Sequence, residues 1–255
     1  MDAPHPFVTG FRVFIAEHFP GPSGQVLAML VAGSHASPDS PGFLFALFRS
    51  LGVIHALVLS GSQVQGLRDA LDRAFDFVGL RTTWVKLTAS LWAVWAFAHH
   101  CAFEPPLVRA ACVASLERTG WDRRLVSAGA LILHLVLFPS HWGSLSFWMS
   151  WFCAALLSLG RSWTWRLVGV SAVTQLAFFR LGWIRLESEL WVLLVANVFV
   201  LLCLNPWVQR GLGFVILSWL VLWRFSELSW GWMAWICLPL DGVCRVILVA
   251  LRLLV

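Results

Sequence analysis

The sequence predicts an all-α, polytopic membrane protein whose N-terminal third is built from amphipathic and broken helices. Three observations carry this. Of 255 residues, 59% are hydrophobic and 12% charged, whereas soluble domains sit near about 45–50% apolar and about 25% charged. The apolar runs do not alternate with period two, which argues against a barrel of transmembrane strands. Seventeen Trp stand beside no Tyr. Many of them lie near the ends of apolar runs, among them Trp84, Trp142, Trp163, Trp165, Trp183, Trp207, Trp230 and Trp232, where an indole favours the membrane interface. One membrane domain is expected over 1–255, with amphipathic and interfacial helices over 1–82 and a transmembrane bundle over 83–255. The net charge of +5 suits polyanions, and it equally suits the orientation of an inner-membrane protein. The six Cys are spread through apolar runs without a C-x-x-C pair, so neither a zinc site nor a disulfide framework is expected, and no cofactor is implied. The start, M-D-A-P-H-P, lacks a basic region before a hydrophobic run, so no cleaved signal peptide is expected.

Taken in order, residues 7–19 read as a short amphipathic helix with Phe7, Phe11, Phe14 and Ile15 on one face. It is too short to span a bilayer, and Pro20-Gly21-Pro22 ends it. A second apolar segment follows over 24–33, then a polar loop from Gly33 to Gly42, in which Asp39 or Ser40 can cap the next helix. That helix, over 43–51, sets Leu44, Leu47 and Phe48 on one side. Arg49 falls near its end, where a cation suits the helix dipole or snorkels to the interface. A contact to a phosphate backbone is the functional alternative.

Between Phe48 and Val64 the chain sets Arg49, Gly52, His55, Ser60, Gly61 and Gln63 into an otherwise apolar run. Lipid tolerates this only where protein or a wet cavity covers the polar groups. Ser60-Gly61 predicts a break in helical backbone, which would free carbonyls and amides to line a path. The plainer reading is helix, turn and helix, with Ser60 as a cap. Residues 65–77 then carry Arg68, Asp69, Asp72, Arg73 and Asp76, with Asp69–Arg73 and Arg68–Asp72 as i,i+4 pairs. A charge at the bilayer centre costs about 2.5–3.5 kcal/mol on insertion scales. This helix is therefore expected at the interface, in the cytoplasm, or inside a wet vestibule.

Trp84 to Phe103 is the first stretch of the roughly twenty residues that a span needs. Lys86 lies near its start and His99-His100-Cys101 near its close. Adjacent His do not share a helix face and make a poor metal pair. Pro105 suits a helix start and puts Arg109 in the first turns, where the dipole does not welcome a cation. A partner is therefore expected: a nucleic-acid phosphate, Glu104, or a lipid phosphate. Asp122 caps a span over 125–138 that carries His134, read as a packed, hydrogen-bonded residue. Pro139 to Gly143 turns the chain into a span over 144–159, and 165–179 follows with Thr174-Gln175, a pair that wants partners on a neighbouring helix or in a water path. Residues 190–204 are apolar except for Asn197, and 212–223 make one more span, while 232–238 and 243–255 are too short to cross. Arg118, Arg123 and Arg124, with Arg161 and Arg166, favour the cytoplasmic side for their loops.

The stretch from Phe48 to Val64 resembles the signature of the ComEC-type competence family, the inner-membrane channel of bacterial DNA uptake, which reads roughly F-R-x-x-G-x-x-H-L-L-A-I-S-G-L-H-V. Phe48, Arg49, Gly52, His55, Ser60, Gly61 and Val64 match. Gln63 stands where the family has its second histidine, so a role in hydrogen bonding carries over and a protonatable imidazole does not. Pro105, Arg109 and Ala110 resemble a second signature, P-S-x-x-R-A, with Pro106 in place of its serine. Leu145-Ser146-Phe147 is similar to the end of G-F-Q-L-S-F, Gln175-Leu176-Ala177 to A-x-Q-L-A-T, and Ala196-Asn197 to an A-N-L-L segment before a proline. These motifs stand in the family's order over most of the chain.

The resemblance implies a multi-pass inner-membrane channel subunit that passes single-stranded DNA during natural transformation. Such a path needs hydration, cations for the phosphates and faces on which bases stack. Its candidate residues are Arg49, His55, Ser60, Gly61, Gln63, Arg109, Gln175 and Asn197, with Arg68 and Arg73 as further cations. Relatives often add an OB-like domain and a metallo-β-lactamase-like domain. Neither is visible and no H-x-H-x-D-H run occurs, so the chain is not expected to cut DNA. The partners implied are single-stranded DNA, the lipid bilayer, a separate nuclease or DNA-pulling protein, and further copies of this chain. Two other classes stay open. An intramembrane hydrolase would use Ser60 and His55, but these lie about 140° apart on an unbroken helix and no orienting carboxylate accompanies them. A degenerate, non-conducting membrane scaffold fits Gln63 and the charged segment over 65–77.

Overall fold

The computed structural model describes residues 6–19, 22–32, 61–80, 82–159 and 212–222, with the isolated positions 169, 170, 172, 173, 176, 199, 242, 245, 246 and 249. Among these the chain is all-α. Its helices are α1 (Pro6–His18), α2 (Pro22–Ala32), α3 (Gly61–Phe77), α4 (Thr83–His100), α5 (Pro105–Leu116), α6 (Arg123–Leu137), α7 (Leu145–Leu159) and α8 (Gly213–Leu222). Short 3-10 turns at Glu117–Thr119 and Pro139–Gly143 lead into α6 and α7.

Helix α1 opens with proline, whose missing N–H costs nothing in a first turn. Its buried stripe is Phe11, Phe14 and Ile15, as the spacing predicts; the side chain of Phe7 is outside the described set. This stripe meets α2 and the indole of Trp219 on α8, with ring centroids 5.0 Å from Phe11 and 5.1 Å from Phe14. Trp219 is the largest fully buried side chain among the described residues. Helix α8 in turn lies on α3 so closely that a Cβ at Gly213 would run into the carbonyl of Gly66. Only glycine permits two helix backbones to approach this far.

Helix α3 buries Gln63, Val64, Leu67, Ala70 and Leu71 and turns Asp72, Arg73 and Asp76 outward. The local ion pairs expected within it do not form the bonds the sequence suggests. Arg68 pairs with Glu117, 2.7 Å away and 49 residues on. Asp76 pairs with Lys86 of α4, and Asp69 accepts from Gln65 at 2.8 Å. Surface i,i+4 pairs are worth only a few tenths of a kcal/mol, so a partner on a neighbouring element readily displaces them.

Helix α5 is the hub and packs on α3, α4, α6 and α7. Pro106, Leu107, Val108, Ala111, Cys112 and Ala114 are all buried, which matches a helix surrounded by others. Val108 and Cys112 meet Ala130 of α6, with Trp95, Phe103, Leu133 and Trp151 closing over them. The N-termini of α6 and α7 are both capped, the first by Asp122 as its sequence predicts. Asp122 accepts from the backbone N–H of Arg124 at 3.3 Å, and Ser144 accepts from that of Phe147 at 3.1 Å.

The first three stretches expected as spans form short helices. Stretches 84–103, 125–138 and 144–159 form helices of 18, 15 and 15 residues, about 27, 22 and 22 Å at the helical rise, against a hydrocarbon core of about 30 Å. Helix α4 also carries Lys86, His99 and His100 near its ends. Among the described residues no helix is long and apolar enough to cross a membrane. The physical reason at α4 is a backbone stop. Phe103 donates to the carbonyl of Ala98 at 2.7 Å and Ala102 to that of His99 at 3.0 Å, the bond pattern of a left-handed helix terminus. Ala102 and Phe103 both have φ of 53°, a conformation that costs a non-glycine residue roughly 1–2 kcal/mol. Helix α3 ends by the same pattern with Gly79 at φ 72°, where the conformation is free of that cost. The helix expected over 43–51 and the segment over 232–238 lie outside the described residues, as does most of the spans over 165–179 and 190–204 and of 243–255.

Candidate functional site

Two of the residues singled out in the sequence, 48 positions apart, meet. Gly61 is the first residue of α3 and Arg109 is in the second turn of α5. A Cβ built on Gly61 would lie 2.8 Å from Nη2 of Arg109. The guanidinium therefore occupies the place that a side chain at 61 would need. Arg109 is half-buried. Among the described residues its one hydrogen bond runs from Nε to Oγ of Ser150 at 2.7 Å, and its Cζ lies 5.9 Å from the ring centroid of Trp151, within cation–π range. Neither contact is a carboxylate. The Glu104 partner considered from sequence is not the one it takes.

Gln63 sits one turn into α3 with 1% of its surface exposed. Arg68 and Arg73, considered as further cations for phosphates, are engaged by their own chain. Arg68 holds Glu117, and Arg73 lies over the ring of Phe214 at 5.9 Å. Arg49, His55, Ser60, Gln175 and Asn197 lie outside the described residues, so the site consists here of Gly61, Gln63 and Arg109 with their neighbours.

The neighbours were not all legible in the sequence. Ser150 and Trp151 stand three and four residues after Phe147, the fully buried residue of α7, so helical spacing puts them on its inward face. That spacing was the available signal. His134, expected to be packed and hydrogen-bonded, is fully buried, and its Nε2 lies 2.9 Å from Nδ1 of His141 in the turn before α7. Its ring packs edge-on to Phe147 at 5.0 Å. His141 stacks on Phe138 at 5.1 Å, and burial pushes its imidazole below the usual histidine value. Among the described residues no group of three His, Cys, Asp or Glu is placed to hold a metal ion.

Chemically, the arrangement offers one half-buried guanidinium, oriented by a hydroxyl and an indole face, beside a glycine backbone. This is a donor set for an anion. No family model matches the chain, and neither a curated protein nor a solved structure matches it.

Proposed function

We propose that this chain is an inner-membrane channel subunit for single-stranded DNA, of the ComEC type. The observation that carries the reading is the seat of Arg109 against Gly61. It joins the two stretches whose resemblance to that family is most specific, Phe48 to Val64 and Pro105 to Ala110. An arginine held without a carboxylate among its described partners is suited to a phosphate, and a glycine at the contact lets the guanidinium seat against the start of α3. The outer face of α6 supports a lipid setting. Leu125, Ile132, Val136 and Leu137 are all exposed on it, and an apolar face of that extent marks a membrane or partner surface more often than a free one in water. Crossing the bilayer then requires helices beyond those described, or helices stacked end to end.

The test is complementation. In a competent bacterium lacking its own DNA channel, the wild-type chain restores uptake of labelled single strands. Arg109→Ala at the same membrane level lowers uptake about tenfold or more, the loss expected of a buried charge-assisted contact. Wild-type uptake with Arg109→Ala removes the proposed role of the arginine.

A specific observation also favours the scaffold reading. Two charges of α3 are spent within the chain, Arg68 on Glu117 and Asp76 on Lys86, and the buried Gln63 stands where the resembled family has an imidazole. A non-conducting membrane body predicts no uptake from the wild-type chain in the same strain.

A further inference from the structure

We infer that a single small anion, of the size of a halide, is held between α5, α6 and α7 by His134, Trp151 and Arg109. The inference goes beyond transport and stands whether or not the chain moves DNA. Two buried polar atoms in this region have no hydrogen-bond partner, Nδ1 of His134 and Nε1 of Trp151. An orphaned buried donor or acceptor is destabilising, and native interiors seldom leave one, still less two together. The two rings are neighbours, with centroids 6.2 Å apart.

The chemistry of the donors selects the occupant. An indole N–H can only donate. When His141 donates from Nδ1 to Nε2 of His134, across their 2.9 Å contact, His134 carries its own proton on Nδ1 and becomes a donor as well. Both orphans then ask for the same acceptor. The Arg109 guanidinium lies over the Trp151 ring, and among the described residues its hydrogen bond to the Ser150 hydroxyl brings no carboxylate to compensate its charge. Two N–H donors on neighbouring rings beside such a cation favour a negative acceptor over a water molecule. Phe138 and Phe147 flank the His134 ring at 6.3 and 5.0 Å, and His134 is fully buried, so the occupant must be small.

The experiment uses the purified full-length chain in detergent. Thermal unfolding is followed in sodium chloride and in sodium gluconate at one ionic strength. The expected result is a saturable upward shift of the midpoint with chloride, absent with gluconate and with inorganic phosphate, and lost in Trp151→Phe. Equal midpoints in all three salts, or an undiminished chloride shift in Trp151→Phe, overturn the inference. Should that variant fail to fold, chloride-35 NMR on the wild-type chain gives the decision. Line broadening reversed by bromide supports the site, and unbroadened chloride overturns it.

Discussion

Helices α3 and α6 are close in length, 17 and 15 residues, and each buries one stripe, yet their outward faces are chemical opposites. On α3 the outward residues before the closing Phe77 are Gln65, Asp72, Arg73 and Asp76, with Asp76 tied to Lys86. On α6, beyond a basic first turn of Arg123 and Arg124, they are Leu125, Ser127, Ala128, Ile132, Val136 and Leu137, of which Ile132 is 64% and Val136 72% exposed. Inward the two are alike: α3 presents Leu67 and Ala70, and α6 presents Val126 and Ala130. Packing therefore does not distinguish them, and the difference lies in the solvent each face suits. Water suits the carboxylates of α3, and lipid suits the aliphatic side chains of α6. Helix α5 touches both and carries Arg109. Under the membrane reading, the boundary between the two media runs past that arginine.

The comparison breaks most severely if α3 loses its inner anchor. Gly213→Val sets a branched side chain into the backbone of Gly66, where no rotamer gives relief. A loss of about 3 kcal/mol or more is expected, read as a lower unfolding midpoint in detergent; unchanged stability would mean that the two backbones do not touch. The outward faces are separated by a matched pair. Ile132→Lys on α6 costs about 2.5–3.5 kcal/mol if that face meets the bilayer core, seen as chain released from membranes by carbonate. Asp72→Lys on α3 stays within about 0.5 kcal/mol of wild type, as surface changes do. Equal behaviour of the two variants would place both faces in the same medium.

What was legible in the sequence was local. Pro105 at a helix start, Asp122 as a cap, the stripe of Phe11, Phe14 and Ile15, and the charged helix after Gly61 all follow from rules that act over one or two turns. Arg109 was legible because a cation near a helix start goes against the dipole. Its partners were not. Ser150 is 41 residues away, and no local rule chooses it over Glu104. Arg68 likewise left its expected partner Asp72 for Glu117, because weak local pairs yield to tertiary geometry. The length of α4 was overread for a different reason. Its stop is a left-handed turn at Ala102 and Phe103, and neither residue announces such a turn as a glycine would.

The seat of Arg109 against Gly61 is the centre of the account, and a double-mutant cycle on single-strand uptake tests it most directly. Gly61→Ala pushes the flexible end of Arg109 away without disturbing the helix backbone, so stability should stay near wild type while uptake falls about as far as in Arg109→Ala. The two changes remove one and the same contact, so the double variant should be no worse than either alone. Full uptake with Gly61→Ala, or losses that multiply in the double variant, would contradict the account.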